Sequence, residues 1–184
     1  VCLTEETFEN PETPPSFCML MRKHLTGGRI SSVTQKGNER VVYIDILFGD
    51  EMGDVSLKRI AVELMGKYSN VILIGADGNI IDSLKRVGPD MSRMRLVQPH
   101  LPYIDPPSQD KLEPTEENIA NFIASRPQYT AGEVFRTFTG FSKQAAQEAA
   151  ADACGLEGYM SKVRSKAYTP MAVTANGELS DFLP

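Results

Sequence analysis

Val62-Glu63-Leu64-Met65-Gly66-Lys67-Tyr68-Ser69-Asn70-Val71-Ile72-Leu73 sets two apolar runs of strand composition on either side of a glycine followed by polar and aromatic residues. Residue types and punctuation read as two strands joined by a tight turn. Outward from there, Val42, Ile44, Ile46 and Phe48 alternate with Val41, Tyr43 and Leu47, the period of two that places them on opposite strand faces. Further strands are predicted over about 57–65, 71–74 and 80–84. Ala76-Asp77-Gly78-Asn79 joins the last two, since Asp-Gly supplies the positive φ values a two-residue hairpin needs. The product is an antiparallel meander. Apolar residues on both faces predict a sandwich, or a sheet covered by a helix, over an open sheet with one wet side.

The 184 residues are 41% hydrophobic and 23% charged, the composition of an ordinary globular chain. The longest apolar run, 71–76, is far below the ~20 residues of a spanning helix. With no charged-then-apolar leader at its start, the chain reads as soluble and cytoplasmic, with no membrane partner. Cys2, Cys18 and Cys154 lack metal-ligand spacing, and with only His24 and His100 beside them they predict neither metal site nor disulfide framework. Cys18 reads as a small core residue. The opening at Val1, acidic and then proline-rich, reads as a piece whose first strands are absent.

Charge is uneven. Residues 1–21 carry four acids and no base, residues 22–95 twelve Lys/Arg against nine Asp/Glu, and residues 96–184 seven against eleven. Any nucleic-acid contact should therefore be local to the middle block. Ser16 is expected to cap a helix over 17–25, whose apolar start predicts burial on most sides. Arg22, Lys23 and His24 fall in its last turn, before Gly27-Gly28. They admit two readings: cations suited to the helix dipole, or a phosphate-facing corner. Lys85, Arg86, Arg93 and Arg95 flank the turn Gly88-Pro89-Asp90. They read either as a solvated loop paired locally to Asp82 and Asp90, or as an RNA contact suited to guanidinium forks.

Gln98-Pro99-His100-Leu101-Pro102-Tyr103-Ile104-Asp105-Pro106-Pro107 excludes helix and central strand and reads as a stiff linker. Beyond it the pattern turns helical. Thr115 starts a helix bearing Ile119, Phe122 and Ile123; Thr130 to Glu133 is a capping box for a second over 133–138; Ser142 caps a third ending at Cys154-Gly155. Phe138-Thr139-Gly140-Phe141-Ser142 is similar to a helix-hairpin-helix turn, whose backbone N–H groups can face a phosphate through Gly140, or else close a compact hairpin with no ligand. Residues 156–167 read as a thin bridge. Asn176-Gly177 marks a final hairpin expected to rejoin the first sheet. The expected organisation is a β-rich domain over 1–112, a helical domain over 113–167 and a returning hairpin over 168–184.

Pro14-Pro15-Ser16-Phe17-Cys18-Met19-Leu20-Met21-Arg22-Lys23-His24-Leu25, the Met65-Gly66 stretch, Leu84-Lys85-Arg86-Val87, Ser92-Arg93-Met94-Arg95 and the proline-rich segment occur in the order of the NFACT family, which this chain resembles over most of residues 10–112. The helical part resembles it more weakly, around Gly140. The family's opening strands, coiled coil and C-terminal RNA-binding module have no counterpart. The resemblance implies an α+β fold, an antiparallel β-sheet or sandwich like the N-terminal domain of formamidopyrimidine-DNA glycosylases, with a helix-hairpin-helix-like insertion. It implies a ribosome quality control factor that binds tRNA and the large ribosomal subunit obstructed by peptidyl-tRNA, and recruits alanine tRNA so that stalled chains gain alanine tails without mRNA.

An acidic residue followed by Arg serves tRNA recruitment in the family, and alignment of Gln35-Lys36-Gly37-Asn38-Glu39-Arg40-Val41 makes that pair Glu39-Arg40, with Glu where bacterial members usually carry Asp. From the residues alone the pair also reads as a surface ion pair at a strand start. Arg22, Lys23, Lys85, Arg86, Arg93, Arg95 and Gly140 are the candidate phosphate contacts. Neither a cofactor nor a catalytic set is implied, so the chain reads as a non-enzyme that positions RNA. Two other classes stand beside this: a surface adhesin binding fibronectin or fibrinogen, suggested by older family labels, and a DNA-glycosylase-like enzyme, suggested by fold analogy alone.

Overall fold

The computed structural model describes residues 5, 7, 9–49, 55–107, 110–167, 169, 171–175 and 177–183. The chain divides into two compact units, Val1–Lys36 with Arg40–Pro107, and Gly37–Glu39 with Ser108–Pro184. The class is α+β.

In the first unit, helix α1 (Ser16–Leu25) precedes strands β1 (Arg29–Gln35), β2 (Val41–Gly49), β3 (Val55–Glu63), β4 (Asn70–Ile74) and β5 (Ile80–Ser83). They form one antiparallel sheet in sequence order. Tyr43 lies opposite Ala61, and Ala61 opposite Ile72, while Ile44, Ile60 and Leu73 align one residue along. Because side chains alternate, each neighbouring rung belongs to the opposite face. Ile46, Ile60 and Leu73 form one core with Leu20, Met21 and Leu25 of α1. Ala61, Ile72, Ile74, Ile80 and Val97 form the other, with Tyr43, Val87 and Tyr103 packed against it. Of the two architectures expected, the first unit is the sheet covered by a helix.

The turn predicted at Gly66 forms; the one at Asp77-Gly78 forms as a longer loop than the two-residue hairpin expected, since of its two central residues only Gly78 takes a positive φ and the Gly75 N–H donates to Asn79 O at 2.8 Å. A 3₁₀ turn, Gly66–Tyr68, joins β3 to β4 with Gly66 at φ 57°, and the Met65 N–H donates to Ser69 Oγ at 2.9 Å. Between β4 and β5, Gly78 takes φ 79° and Asp77 Oδ1 accepts from the Asn79 N–H at 3.0 Å.

Helix α1 departs from expectation twice. Its N-cap is Pro15, with no side-chain cap, and Ser16 is its first residue. Proline holds its own φ near −60° and so begins the helix without a capping hydroxyl. No residue of α1 is fully buried, and Met19 is 52% exposed. A helix laid on a sheet hides one stripe, not its circumference. Cys18 is half-buried. The proline-rich stretch also differs from the expected linker, because it covers the second face of the sheet. Val87 bridges Val97 and Asn79 bridges Pro102; the Ile80 N–H donates to Leu101 O, and the His100 N–H to Ile80 O, both at 2.8 Å. Prolines lack a donor, yet the residues between them keep theirs.

The second unit is built on α2 (Glu116–Ser125), α3 (Ala131–Thr137), α4 (Lys143–Ala151) and α5 (Gly155–Ser165). Thr115, Thr130 and Ser142 cap α2, α3 and α4 through their side chains, and Thr130 with Glu133 completes the capping box. Backbone bonding to Glu133 and then the Thr130 hydroxyl hold the Glu133 carboxyl below its ordinary range. Helix α5 occupies the stretch expected to be a thin bridge. Leu156, Met160 and Val163 recur at helical spacing and pack with Ile119, Phe122 and Phe138, so burial outweighs the two glycines that weaken its local propensity. Strands β6 (Met171–Ala175) and β7 (Glu178–Leu183) pair with each other as a two-stranded sheet. The expected pairing of this hairpin with the larger sheet is not among the described ladders, and Asn176 of its turn lies outside the described residues.

Leu156 is fully buried, so Leu156→Ala should destabilise the protein by about 2–5 kcal/mol through lost transfer energy and a residual cavity. Chemical unfolding measures this, and a near-neutral result would show that 155–165 is not a packed helix.

Candidate nucleic-acid interface

Arg40 immediately precedes β2 and is exposed. Its carbonyl accepts the Leu64 N–H at 2.8 Å, which ties its backbone to the end of β3 while the guanidinium stays outside. Arg40 makes no ion pair among the described residues, so the surface pair with Glu39 is not formed. Glu39 belongs to the other unit. Its Oε1 accepts from the Thr139 hydroxyl at 2.9 Å, and Thr139 is only 5% exposed. Asn38 beside it donates through Nδ2 to Glu113 Oε2 at 2.7 Å. Gly140, at φ 81°, lies so close to Asn38 that an added Cβ would meet Asn38 O at 2.9 Å. The glycine therefore serves a close backbone approach.

The predicted cations separate by what already holds them. Arg22 and Lys23 are exposed in the last turn of α1. The His24 carbonyl at that helix end accepts from Lys58 Nζ at 3.0 Å, so part of the capping role expected of the helix's own cations is met from β3. Burial, then Lys58 and Lys23, lowers the His24 pKa. Lys85 is exposed and donates to Lys67 O at 3.3 Å. Arg86 forms a fork to Asp82 at 3.0 and 2.8 Å, which holds the Asp82 carboxyl below its usual range. Arg93 is exposed, without a partner among the described residues.

Arg95 differs from the exposed cation expected. Its terminal nitrogens reach Glu63 at 2.9 and 2.7 Å and its Nε donates to Ile104 O at 2.5 Å. The Glu63 side chain is 3% exposed and that of Arg95 11%. Each of its three guanidinium nitrogens bonds within the first unit, so Arg95 is held as a buried structural group and not as the exposed cation expected.

Sequence reasoning missed the polar network around this pair. Tyr103 donates to Glu63 Oε1 at 3.0 Å. Asp45 forks Arg59 at 2.7 and 2.9 Å, and Asp105 receives both Lys36 Nζ, at 2.6 Å, and the Tyr43 hydroxyl. The available signal was Asp45 and Glu63 themselves, acids at strand positions that alternate onto a covered face. The Arg59 guanidinium holds Asp45 below the ordinary carboxylate range. Burial and then Asp105 push the Tyr43 hydroxyl up to about 12. Burial, and next the Glu63 charge, raise Tyr103 as well.

Beside this network a cleft of ≈ 490 Å³ is lined by, among others, Met65, Lys67, Tyr68, Lys85, Met91 and Met94. Tyr68, Met91 and Met94 are 71%, 68% and 81% exposed. Such walls suit a flat apolar group, and the two lysines suit an anion at its edge. No group of three or more His, Cys, Asp or Glu side chains that could hold a metal ion occurs among the described residues, and none of the described helices is long and apolar enough to cross a membrane.

Two measurements test this geometry. Glu63→Ala strands a buried guanidinium and should cost about 3–5 kcal/mol in urea unfolding. Tyr43 holds its proton to about 12 when folded, against an ordinary 10.0. Its contribution is full below pH 10.0 and is lost as pH rises through about 12. Tyr43→Phe should therefore flatten the fall in stability across that alkaline window, measured by unfolding at stepped pH.

The chain matches the family profile of the NFACT N-terminal and middle domains over residues 1–175. It is 35% identical over 191 aligned positions to the Rqc2 homolog RqcH of Bacillus subtilis (strain 168), covering 97% of this chain and 34% of that protein. The Rqc2 homolog RqcH of Streptococcus pneumoniae serotype 2 is 33% identical over 150, covering 79% and 27%. The chain thus spans about a third of the length of these curated relatives. Among solved structures, the N-terminal part of the fibronectin/fibrinogen-binding protein from Streptococcus suis superposes with a TM-score of 0.80 at 29% identity, covering 94% of this chain and 66% of that one. The N-terminal domain of fibronectin-binding protein PavA from Streptococcus pneumoniae gives 0.70 at 32%, covering 89% and 63%. On a profile match running nearly end to end and on these identities, the chain belongs to the NFACT family.

Proposed function

We propose that this chain is the RNA-positioning part of a ribosome quality control factor, acting in the cytoplasm, which binds tRNA on the large ribosomal subunit obstructed by peptidyl-tRNA. The protein recruits alanine tRNA, and stalled chains gain alanine tails without mRNA. The observation that carries the reading is Arg40: an exposed guanidinium, its backbone tied to β3, in a chain that over 97% of its own length is 35% identical to about a third of a protein named RqcH. An anchored backbone with a free fork is what bidentate recognition of phosphate or a base edge requires. The exposed Arg22, Lys23, Lys85, Arg86 and Arg93 add phosphate contacts, and Tyr68 offers a face on which an unstacked base can lie. Gly140 contributes by seating Asn38. The first unit corresponds to a glycosylase-like sheet domain, and α3 with α4 to a helix-hairpin-helix-like element.

This role needs no bond chemistry from the chain. Arg and Lys hold and orient RNA, and the ribosome supplies peptidyl transfer.

Arg40→Ala, and Glu39→Ala with Arg40→Ala, should abolish alanine tails on stalled chains in cells carrying the full-length protein, with unfolding unchanged for Arg40→Ala. In purified protein the logarithmic salt slope of tRNA binding should fall by about 1 for Arg40→Ala. Unaltered tails and slope would remove the assignment. The names of the structural neighbours support a second reading, an adhesin for fibronectin or fibrinogen. Surface plasmon resonance of fibronectin against deacylated tRNA on the same immobilised protein separates the two.

A further inference from the structure

Arg93 sits in a loop, residues 88–96, that its outward side chains do not pack down. Met91 and Met94 are 68% and 81% exposed, and Arg93 itself is exposed, with no ion-pair partner among the described residues. Burial therefore offers this stretch little, and a loop left unheld samples many backbone states. Polar contacts hold it instead, all of them inside the first unit. At its base Val87 and Val97 exchange both backbone hydrogen bonds at 2.9 Å, and the Met91 and Ser92 N–H groups donate to Gly88 O at 3.0 Å. Ser92 Oγ accepts from the Met94 and Arg95 N–H groups, both at 3.2 Å, and so spans Arg93. Beyond it the Arg95 fork enters Glu63 at 2.9 and 2.7 Å, with Nε on Ile104 O. The backbone is thus fixed on both sides of an exposed guanidinium, by a hydroxyl and by a buried ion pair.

We propose that Ser92 and Arg95 are positioning residues for Arg93: they close the loop beneath it, so that its guanidinium is offered to an RNA phosphate from a preset backbone. This rests on the RNA reading above and deepens it, separating the cation that meets RNA from the two polar residues that hold it. A preset loop removes backbone freedom that binding would otherwise have to quench. A guanidinium gains from this because two parallel N–H bonds to one phosphate tolerate little misalignment. The buried pair also gives the loop a single seat, since Arg95 cannot leave Glu63 without stranding a charge.

The test uses full-length protein, with fluorescence anisotropy of labelled deacylated tRNA at several salt concentrations and amide hydrogen exchange of the free protein. Arg93→Ala should weaken binding by roughly tenfold and lower the logarithmic salt slope by about 1. Ser92→Ala removes the acceptor, and should quicken exchange at Met94 and Arg95 and weaken binding by at least about threefold. Ser92→Thr keeps the hydroxyl and should stay within about twofold of the parent. Arg95→Lys keeps the charge but gives up the fork, and should act like Ser92→Ala. Ser92→Ala combined with Arg93→Ala should bind no more weakly than Arg93→Ala alone, the signature of residues acting through one contact. A merely structural serine would shift the unfolding midpoint and add its own loss to that of Arg93→Ala.

Ser92→Ala binding like the parent while Arg93→Ala binds weakly would overturn the proposal, since Arg93 would then need no seat; unchanged exchange at Met94 and Arg95 would do the same. An additive double variant overturns it too, because Ser92 would be acting through the wall of the cleft. If Arg95→Lys does not fold, Ser92→Ala decides, Ser92 being only half-buried. Parent-like binding by Arg93→Ala, with Arg40→Ala still weak, takes Arg93 off the RNA surface and the proposal with it. Parent-like binding by both sinks the RNA reading itself, an outcome distinct from the others.

Discussion

The ion pair between Glu63 and Arg95 holds the first unit in its arrangement. Both side chains are nearly closed to solvent, where stripping water from two charges costs several kcal/mol apiece and only good geometry recovers it. The geometry is good: a two-pronged fork, with Tyr103 on one carboxylate oxygen and Ile104 O on Arg95 Nε. The pair joins the end of β3 to a segment 32 residues later that has little regular structure of its own. Slipping β3 by one residue would carry Glu63 to the α1 face and leave Arg95 buried alone. A buried pair of this kind adds little net stability, yet it makes the wrong registers very costly.

The same face explains why so basic a stretch presents a restricted set of free cations. Arg59, Arg95 and Lys36 are engaged by Asp45, Glu63 and Asp105. Arg22, Lys23, Arg40 and Arg93 remain exposed. Formal charge along the chain therefore overstates what a polyanion can meet, and selection among the cations is made by Asp45 and Glu63 at inward-facing strand positions and by Asp105 of the proline-rich segment. Tyr43 and Tyr103 take part as donors whose protons are held more tightly than usual by burial and neighbouring carboxylates.

Local chemistry was legible wherever a feature is decided within four residues. Asp77-Gly78 makes its turn, Thr115, Thr130 and Ser142 cap their helices, and the alternation through 41–48 assigns the two faces of β2. Local reading failed where the deciding partner is remote. Within 155–165 the helical spacing of Leu156, Met160 and Val163 is offset by two glycines, and what decides for α5 is remote: the core that includes Ile119, Phe122 and Phe138. The prolines near 99–107 looked like a spacer because their value lies in the carbonyls and the tyrosine between them, which find β5 and Glu63.

The candidate site divides in the same way. Sequence alone determined that an acid and an arginine stand together before β2, that the middle of the chain is its basic part, and that a tight turn follows β3, since residue identity and spacing settle each of these. Only the tertiary structure decided that Arg95 is internal, that Arg40 is exposed, and that Glu39 bonds a threonine 100 positions away. The reason is physical: whether a charge is available depends on which opposite charge or buried hydroxyl the fold brings within about 3 Å of it, and that proximity is not encoded by any neighbour in the chain.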